Sequence, residues 1–258
     1  MTAASAGVFR NRLDDVRLAM MILTRIPMGR GALLPGATLA RALWAYPLAG
    51  AIVGGVSGGA FALAVLAGLQ TGPAAAVALV VSTLASGSIH EDGLADFSDG
   101  IGGGRDRDRK LEIMRDSRIG TYGAVALILS FLVRWSAIAA LAIPEKVFLM
   151  WIAVDALSRA GIAIPLCLLP PARPDGLGAQ AASPPVWSVV VAVVLAIAIA
   201  AALIYWHALS LIAVSLVAAL VVTILARHHL KGHTGDVLGA CALVAESAGL
   251  AVASAGWF

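Results

Sequence analysis

Four of the chain's fifteen carboxylates, Glu91, Asp92, Asp96 and Asp99, fall within nine residues of the segment His90-Glu91-Asp92-Gly93-Leu94-Ala95-Asp96-Phe97-Ser98-Asp99-Gly100. On a helix, at about 100° per residue, Asp92, Asp96 and Asp99 share a stripe roughly 60° wide, and Glu91 points elsewhere. Like charges at such spacings oppose a helix by about 0.2 to 0.5 kcal/mol per pair, and by more where a bilayer limits water, so the stripe needs a positive partner. Oxygen ligands without cysteine suit a hard cation, and Mg²⁺ is commonly held by one or two carboxylates together with waters and substrate phosphates. The plainer alternative is a solvated acidic loop at a membrane edge, and Gly93 and Gly100 weaken the helix itself.

A complementary basic run follows. Gly102-Gly103-Gly104 links the acidic segment to Arg105-Asp106-Arg107-Asp108-Arg109-Lys110 and then to Leu111-Glu112-Ile113-Met114-Arg115-Asp116-Ser117-Arg118-Ile119-Gly120. Alternating charges of this kind also suit a solvated, self-paired face. Arg115 and Arg118, however, share a helical face at i, i+3, so carboxylates for a cation and guanidinium forks for phosphate lie within about 30 residues. That layout suits metal-assisted phosphoryl transfer, in which positioning and charge neutralisation supply most of the catalysis.

Other polar residues stand inside apolar runs. Asp155 and Arg159 are one helical turn apart and make a structural ion pair the leading explanation; Arg134 snorkels or pairs. Asp236, after His233-Thr234-Gly235, suits a helix amino end. Glu246 lies ten residues further, about 15 Å along a helix, where an ionised group costs about 3 kcal/mol unless partnered or protonated. His228, His229 and His233 have irregular spacing, which favours a basic surface loop over a metal site. Cys167 and Cys241 sit in apolar runs without a Cys-x-x-Cys pair and are assigned to packing.

The elements that must position these groups are membrane helices. Of 258 residues 60% are hydrophobic and 13% charged, and a mean hydropathy of +0.92 leaves too few polar residues to cover one soluble core. Apolar runs at 42–69, 73–89, 119–143, 147–169, 186–205, 208–226 and 237–255 predict an all-α, polytopic bundle of about seven spans forming one membrane-embedded domain, 1–258. Phe9, Leu13, Val16, Met20 and Leu23 recur at steps of three and four, with Arg10, Arg12, Asp14, Asp15 and Arg17 on other faces, which predicts an amphipathic helix at the membrane surface. The first segment is too charged for a secretory signal. With the amino terminus inside, fifteen of the eighteen Lys and Arg fall on the cytoplasmic side, from Arg10 and Arg30 to Arg227 and Lys231, and Trp257-Phe258 reach the outer interface. The net charge of +3 then reports orientation, and no nucleic-acid partner is read from it. Gly50, Gly54 and Gly58 form a small-xxx-small row suited to close helix packing.

The motif His90-x-Asp92-Gly93-Leu94-Ala95-Asp96-x-x-Asp99-Gly100, with Leu111-Glu112-Ile113-Met114-Arg115-Asp116-Ser117-Arg118-Ile119-Gly120, resembles the cobalamin synthase (adenosylcobinamide-GDP ribazoletransferase) family. Leu23-Thr24-Arg25-Ile26-Pro27, Tyr46-Pro47-Leu48-Ala49-Gly50 and Thr234-Gly235-Asp236-Val237-Leu238-Gly239-Ala240 extend the resemblance over nearly the whole chain, and Glu91 departs from the usual apolar residue there. The resemblance implies a multi-pass enzyme of the bacterial cytoplasmic membrane with its active site on the cytoplasmic face. Its substrates would be adenosylcobinamide-GDP and α-ribazole or its phosphate, and GMP would leave with Mg²⁺ assistance. It further implies Asp92, Asp96 and Asp99 as Mg²⁺ ligands and His90, Asp96, Asp99 and Asp116 as catalytic groups. Arg25, Arg115, Ser117, Arg118, Asp236 and Glu246 would bind substrate, and His90 or a carboxylate would accept the hydroxyl proton.

Two other readings compete. A CDP-alcohol-type phospholipid headgroup phosphotransferase also presents aspartates to Mg²⁺, but its longer Asp-Gly-x-x-Ala-Arg spacing is missing, since Asp92-Gly93 is followed by Leu94, Ala95 and Asp96. A secondary transporter would explain spans and buried charge, but the charged groups cluster at one predicted face and no inverted repeat is evident.

Overall fold

The computed structural model of the protein describes residues 3–29 and 38–255, with side chains from Arg12 onward. Arg30, Trp257 and Phe258, and the side chains of Phe9 and Arg10, lie outside the described residues. The regular structure is helical: α1 (Ala3–Leu23), α2 (Leu39–Leu66), α3 (Thr71–Ser86), α4 (Ile89–Gly103), α5 (Arg107–Ile113), α6 (Thr121–Leu141), α7 (Pro144–Leu168), α8 (Gly176–Gln180), α9 (Val186–Ile204), α10 (Ala208–Leu230) and α11 (Gly235–Ala253). Helix starts follow local chemistry. Pro144 opens α7 and Pro185 precedes α9, where a fixed φ and a missing N–H cost nothing. The Thr234 hydroxyl accepts the Val237 N–H at 3.3 Å as the cap of α11.

Among the described residues five helical stretches are long and apolar enough to cross a bilayer, or six when α3 and α4 count as one bent pass. One stretch, Val186–Leu230, has 45 residues, about 68 Å if straight and twice the ~30 Å hydrocarbon core. It breaks at Tyr205, whose φ is 50°, and both of its ends return to one side. The Ser188 hydroxyl on α9 donates to the Arg41 carbonyl (2.8 Å), and the Leu230 carbonyl at the end of α10 accepts from Arg107 (2.8 Å). α9 and α10 are therefore two helices folded back on each other, and with the short α3 the described residues offer seven candidate passes: α2, α3, α6, α7, α9, α10 and α11.

The glycine row does what its spacing predicts. A Cβ on Gly50 would strike the Asp155 carbonyl, and one on Gly54 would lie 2.5 Å from the Trp151 carbonyl oxygen, so α2 and α7 meet backbone to backbone. Trp151, Phe61, Leu211 and Leu250 fill the core at the end away from the acidic helix. At the other end α1 packs on the start of α2 through Ala19, Met20, Leu23, Leu43 and Tyr46. One expectation for α1 is corrected there. Asp15 is fully buried rather than on a wet face, because Arg41 (2.7 Å) and the Trp44 indole N–H (3.1 Å) reach over from α2 to satisfy it.

Candidate active site

Gly87 and Ser88, both left-handed (φ 66° and 59°), turn the chain by 88° between α3 and α4. α4 consequently leaves the axis of α3, with Asp96 close to Asp236 at the start of α11 and Asp99 bonded to the start of α6, while Glu91 points into the bundle. The acidic segment is helical despite its glycines. At Gly93 the reason is packing: a Cβ would stand 2.9 Å from the Asp236 carbonyl and 3.0 Å from the Gly239 Cα. That close approach brings Asp236, in the first turn of α11, beside the α4 aspartates.

Asp92 is exposed, Asp96 half-buried and Asp99 buried. Burial, and then the charges of Asp92, Asp236 and Asp99, push the Asp96 carboxyl up to about 7, with Arg173 opposing. Asp99 departs from the expected trio. Its two oxygens accept the Gly120 N–H (2.7 Å) and the Gly123 N–H (2.9 Å), so it satisfies orphan donors at the start of α6. Among the described residues no three His, Cys, Asp or Glu side chains stand together as a ready metal cage. The donor set that remains, Asp92 and Asp96 with Asp236 opposite, fits a hard cation that takes one or two carboxylates and completes its shell with water and phosphate.

Two adjoining cavities meet at Asp92. One, of about 270 Å³, is lined by His90, Asp92, Arg173, Asp175, Asp236 and Tyr46 among others. The second, about 500 Å³, has Arg25, Ser86, Gly87, Ser88 and Ile89 around it. Arg25 is held there by its own backbone, whose N–H donates to the Ala85 carbonyl at 2.7 Å. His90 is 2% exposed and neither ring nitrogen has a hydrogen-bond partner.

The basic loop does not enter these cavities. Arg115 makes a double contact with Asp175 (2.7 and 2.8 Å), which places it at the cleft mouth. Arg118 pairs with Asp116 at 2.7 Å, and those hydrogen bonds hold the Asp116 carboxyl down at about 2. Asp116, Ser117 and Arg118 are all exposed.

Glu246, expected to bind substrate, is instead 1% exposed within the bundle. It accepts from Arg134 (3.2 Å) and Arg159 (2.8 Å); Arg159 also holds Asp155 (3.0 Å), and Arg134 holds Glu91 (3.1 Å). Two guanidiniums at membrane depth need these carboxylates, which explains why Glu246 does not reach the cleft. It also gives Glu91 its place: the acidic helix shows Asp92 to the cleft and Glu91 to the ion cluster. His233 is corrected too, being 1% exposed rather than in a surface loop.

Arg173 was missed by sequence reasoning. It lines the cleft with Asp92 and Asp236, and its Nη2 donates to the Leu111 carbonyl at 2.7 Å. The available signal was a single cation clamped between Pro170-Pro171 and Pro174, next to Asp175.

A family model described as cobalamin-5-phosphate synthase matches residues 15–254. A relative from Bradyrhizobium diazoefficiens named adenosylcobinamide-GDP ribazoletransferase is 45% identical over 253 residues, covering 95% of each chain. Proteins of the same name from Mesorhizobium japonicum (44% over 260 residues, 95% of this chain and 94% of the relative) and Rhizobium etli (46% over 249 residues, 92% and 94%) are equally similar. No solved structure matches the chain. With the family model matching residues 15–254 and relatives covering 92–95% of its length, the chain belongs to the cobalamin-5-phosphate synthase family.

Proposed function

We propose that the protein is an Mg²⁺-dependent adenosylcobinamide-GDP ribazoletransferase. The observation that carries this reading is the convergence of Asp92, Asp236 and Arg173 on one cleft, with Asp96 close enough to feel the charge of all three, in a member of this family. The ribose hydroxyl of α-ribazole, or of its phosphate, forms a bond to the phosphorus that bears cobinamide. The bond from that phosphorus to the bridging oxygen breaks, and GMP leaves with the oxygen. Asp92 and Asp96 would hold Mg²⁺, which when bound neutralises charge building on the diphosphate. His90, with both ring nitrogens unpartnered at the cleft wall, orients the hydroxyl, and a cleft carboxylate takes its proton. Asp99 acts through position by tying α4 to the start of α6. Arg25, Arg115, Ser117 and Arg118 surround the approach as outer contacts for the nucleotide, and Asp116 keeps Arg118 in place.

The cleft end carries Arg25, Arg41, Arg107, Arg115 and Arg173, which supports placing it at the cytoplasmic face of a bacterial inner membrane. The test is to incubate purified protein in detergent with adenosylcobinamide-GDP, α-ribazole and Mg²⁺. GMP and cobalamin appearing in equal amounts is the expected result, and a need for a sealed membrane would refute the reading.

A further inference from the structure

We propose that Arg173 is the inner phosphate-binding residue of the cleft, gripping the diphosphate of the nucleotide-bearing substrate beside the α4 carboxylates. The inference rests on the proposed transfer reaction and assigns a residue that neither the motifs nor the basic loop indicates.

Arg173 borders the same cavity as Asp92 and Asp236, whereas Arg115 is already bound to Asp175 and Arg118 to Asp116 outside it. Asp236, Asp175 and Asp96 are among the strongest charged neighbours of Arg173, yet none comes within the 4.0 Å of an ion pair. A guanidinium facing carboxylates across such a gap leaves room for a phosphate and a divalent cation, with positive charge on both sides of the phosphate.

Arginine has five N–H donors in a fixed fork. Among the described residues Nη2 is engaged by the Leu111 carbonyl, Nε is buried without a partner, and Nη1 makes no hydrogen bond. An unused, charged donor beside a row of carboxylates suits a phosphate oxygen better than any neutral group.

The mounting is rigid. The Ala172 N–H donates to the His233 carbonyl (2.8 Å), and the His233 N–H donates to the Pro170 carbonyl (2.9 Å). The Ala172 carbonyl accepts from Arg107 (2.7 Å). Residues 170–173 are thereby pinned to the segment that opens α11, so Arg173 and Asp236 keep a fixed relation, as preorganised electrostatic stabilisation requires.

The experiment measures GDP binding by calorimetry with Mg²⁺ present, and KM for each substrate, in Arg173→Gln and Arg173→Lys. Losing a charge-assisted contact should weaken GDP binding by about 10- to 100-fold in Arg173→Gln. KM for adenosylcobinamide-GDP should rise with it, while KM for α-ribazole stays within about twofold. Arg173→Lys, which keeps charge but not the fork, should fall between. Unchanged GDP binding in folded Arg173→Gln, a parallel rise in both KM values, or misfolding of both variants would overturn the assignment and leave Arg173 as a brace for the Leu111 carbonyl. A wild-type protein that binds GDP but releases no GMP would overturn the transfer reaction alone, and loss of GDP binding in Arg173→Gln would then still uphold the phosphate contact.

Discussion

Replacing Arg134 with Met strands two carboxylates inside the bundle. The guanidinium is fully buried and donates from both Nη atoms to Glu91 (3.1 Å each) and from Nη1 to Glu246 (3.2 Å). Without it Arg159 alone faces Asp155, Glu246 and Glu91. Removing one partner of a buried pair costs about 3–5 kcal/mol, a fifth or more of a total stability of about 5–15 kcal/mol. Glu246→Gln is the informative contrast, because it reduces three carboxylates to two against two guanidiniums and keeps an acceptor oxygen. Its expected cost is about 1–2 kcal/mol, the difference between charged and neutral hydrogen bonds. Both values can be measured by reversible unfolding in bicelles of fixed lipid composition. A loss below about 1 kcal/mol for Arg134→Met, or equal losses for the two variants, would refute the view that uncompensated carboxylates dominate this cluster.

Asp96 gives a pH-dependent expectation. Its folded pKa, raised from 3.8 to about 7, means that the native state holds the extra proton between those values, so its contribution to stability falls as pH rises through that window. In Mg²⁺-free protein Asp96→Asn should therefore raise the thermal midpoint by more at pH 8 than at pH 5, and equal shifts at both pH values would contradict this. At the α2–α7 contact, Gly54→Ala forces a methyl onto the Trp151 carbonyl and should cost about 1–3 kcal/mol. Gly59→Ala meets open space and should be neutral or stabilising by up to about 1 kcal/mol; unfolding of the pair reads the difference.

The spans were legible because hydrophobic runs of this length have few other uses, and the Asp155–Arg159 pair because one helical turn is visible in sequence. The bend at Gly87-Ser88 was not. Two left-handed residues look like any span end, and the direction taken afterwards is set by Gly93 docking on α11. From sequence Glu246 reads as a substrate-pocket residue, because its partners, Arg134 and Arg159, lie 112 and 87 positions away and only tertiary packing brings them together. Asp99 fitted the helical stripe, yet its carboxylate is spent on the N–H groups of Gly120 and Gly123, which no spacing rule reveals. Arg173 was hidden for the same reason: it reaches the cleft through the backbone bridge between Pro171 and His233.

The most direct test of the account replaces Mg²⁺ with Mn²⁺ and asks by electron paramagnetic resonance whether a bound ion is coupled to ³¹P of added GDP. One protein-bound Mn²⁺ with phosphorus coupling is expected in the wild type, and its loss in an Asp92→Asn/Asp96→Asn variant that remains folded. Undiminished coupling in that variant, or no protein-bound ion in the wild type, would contradict it.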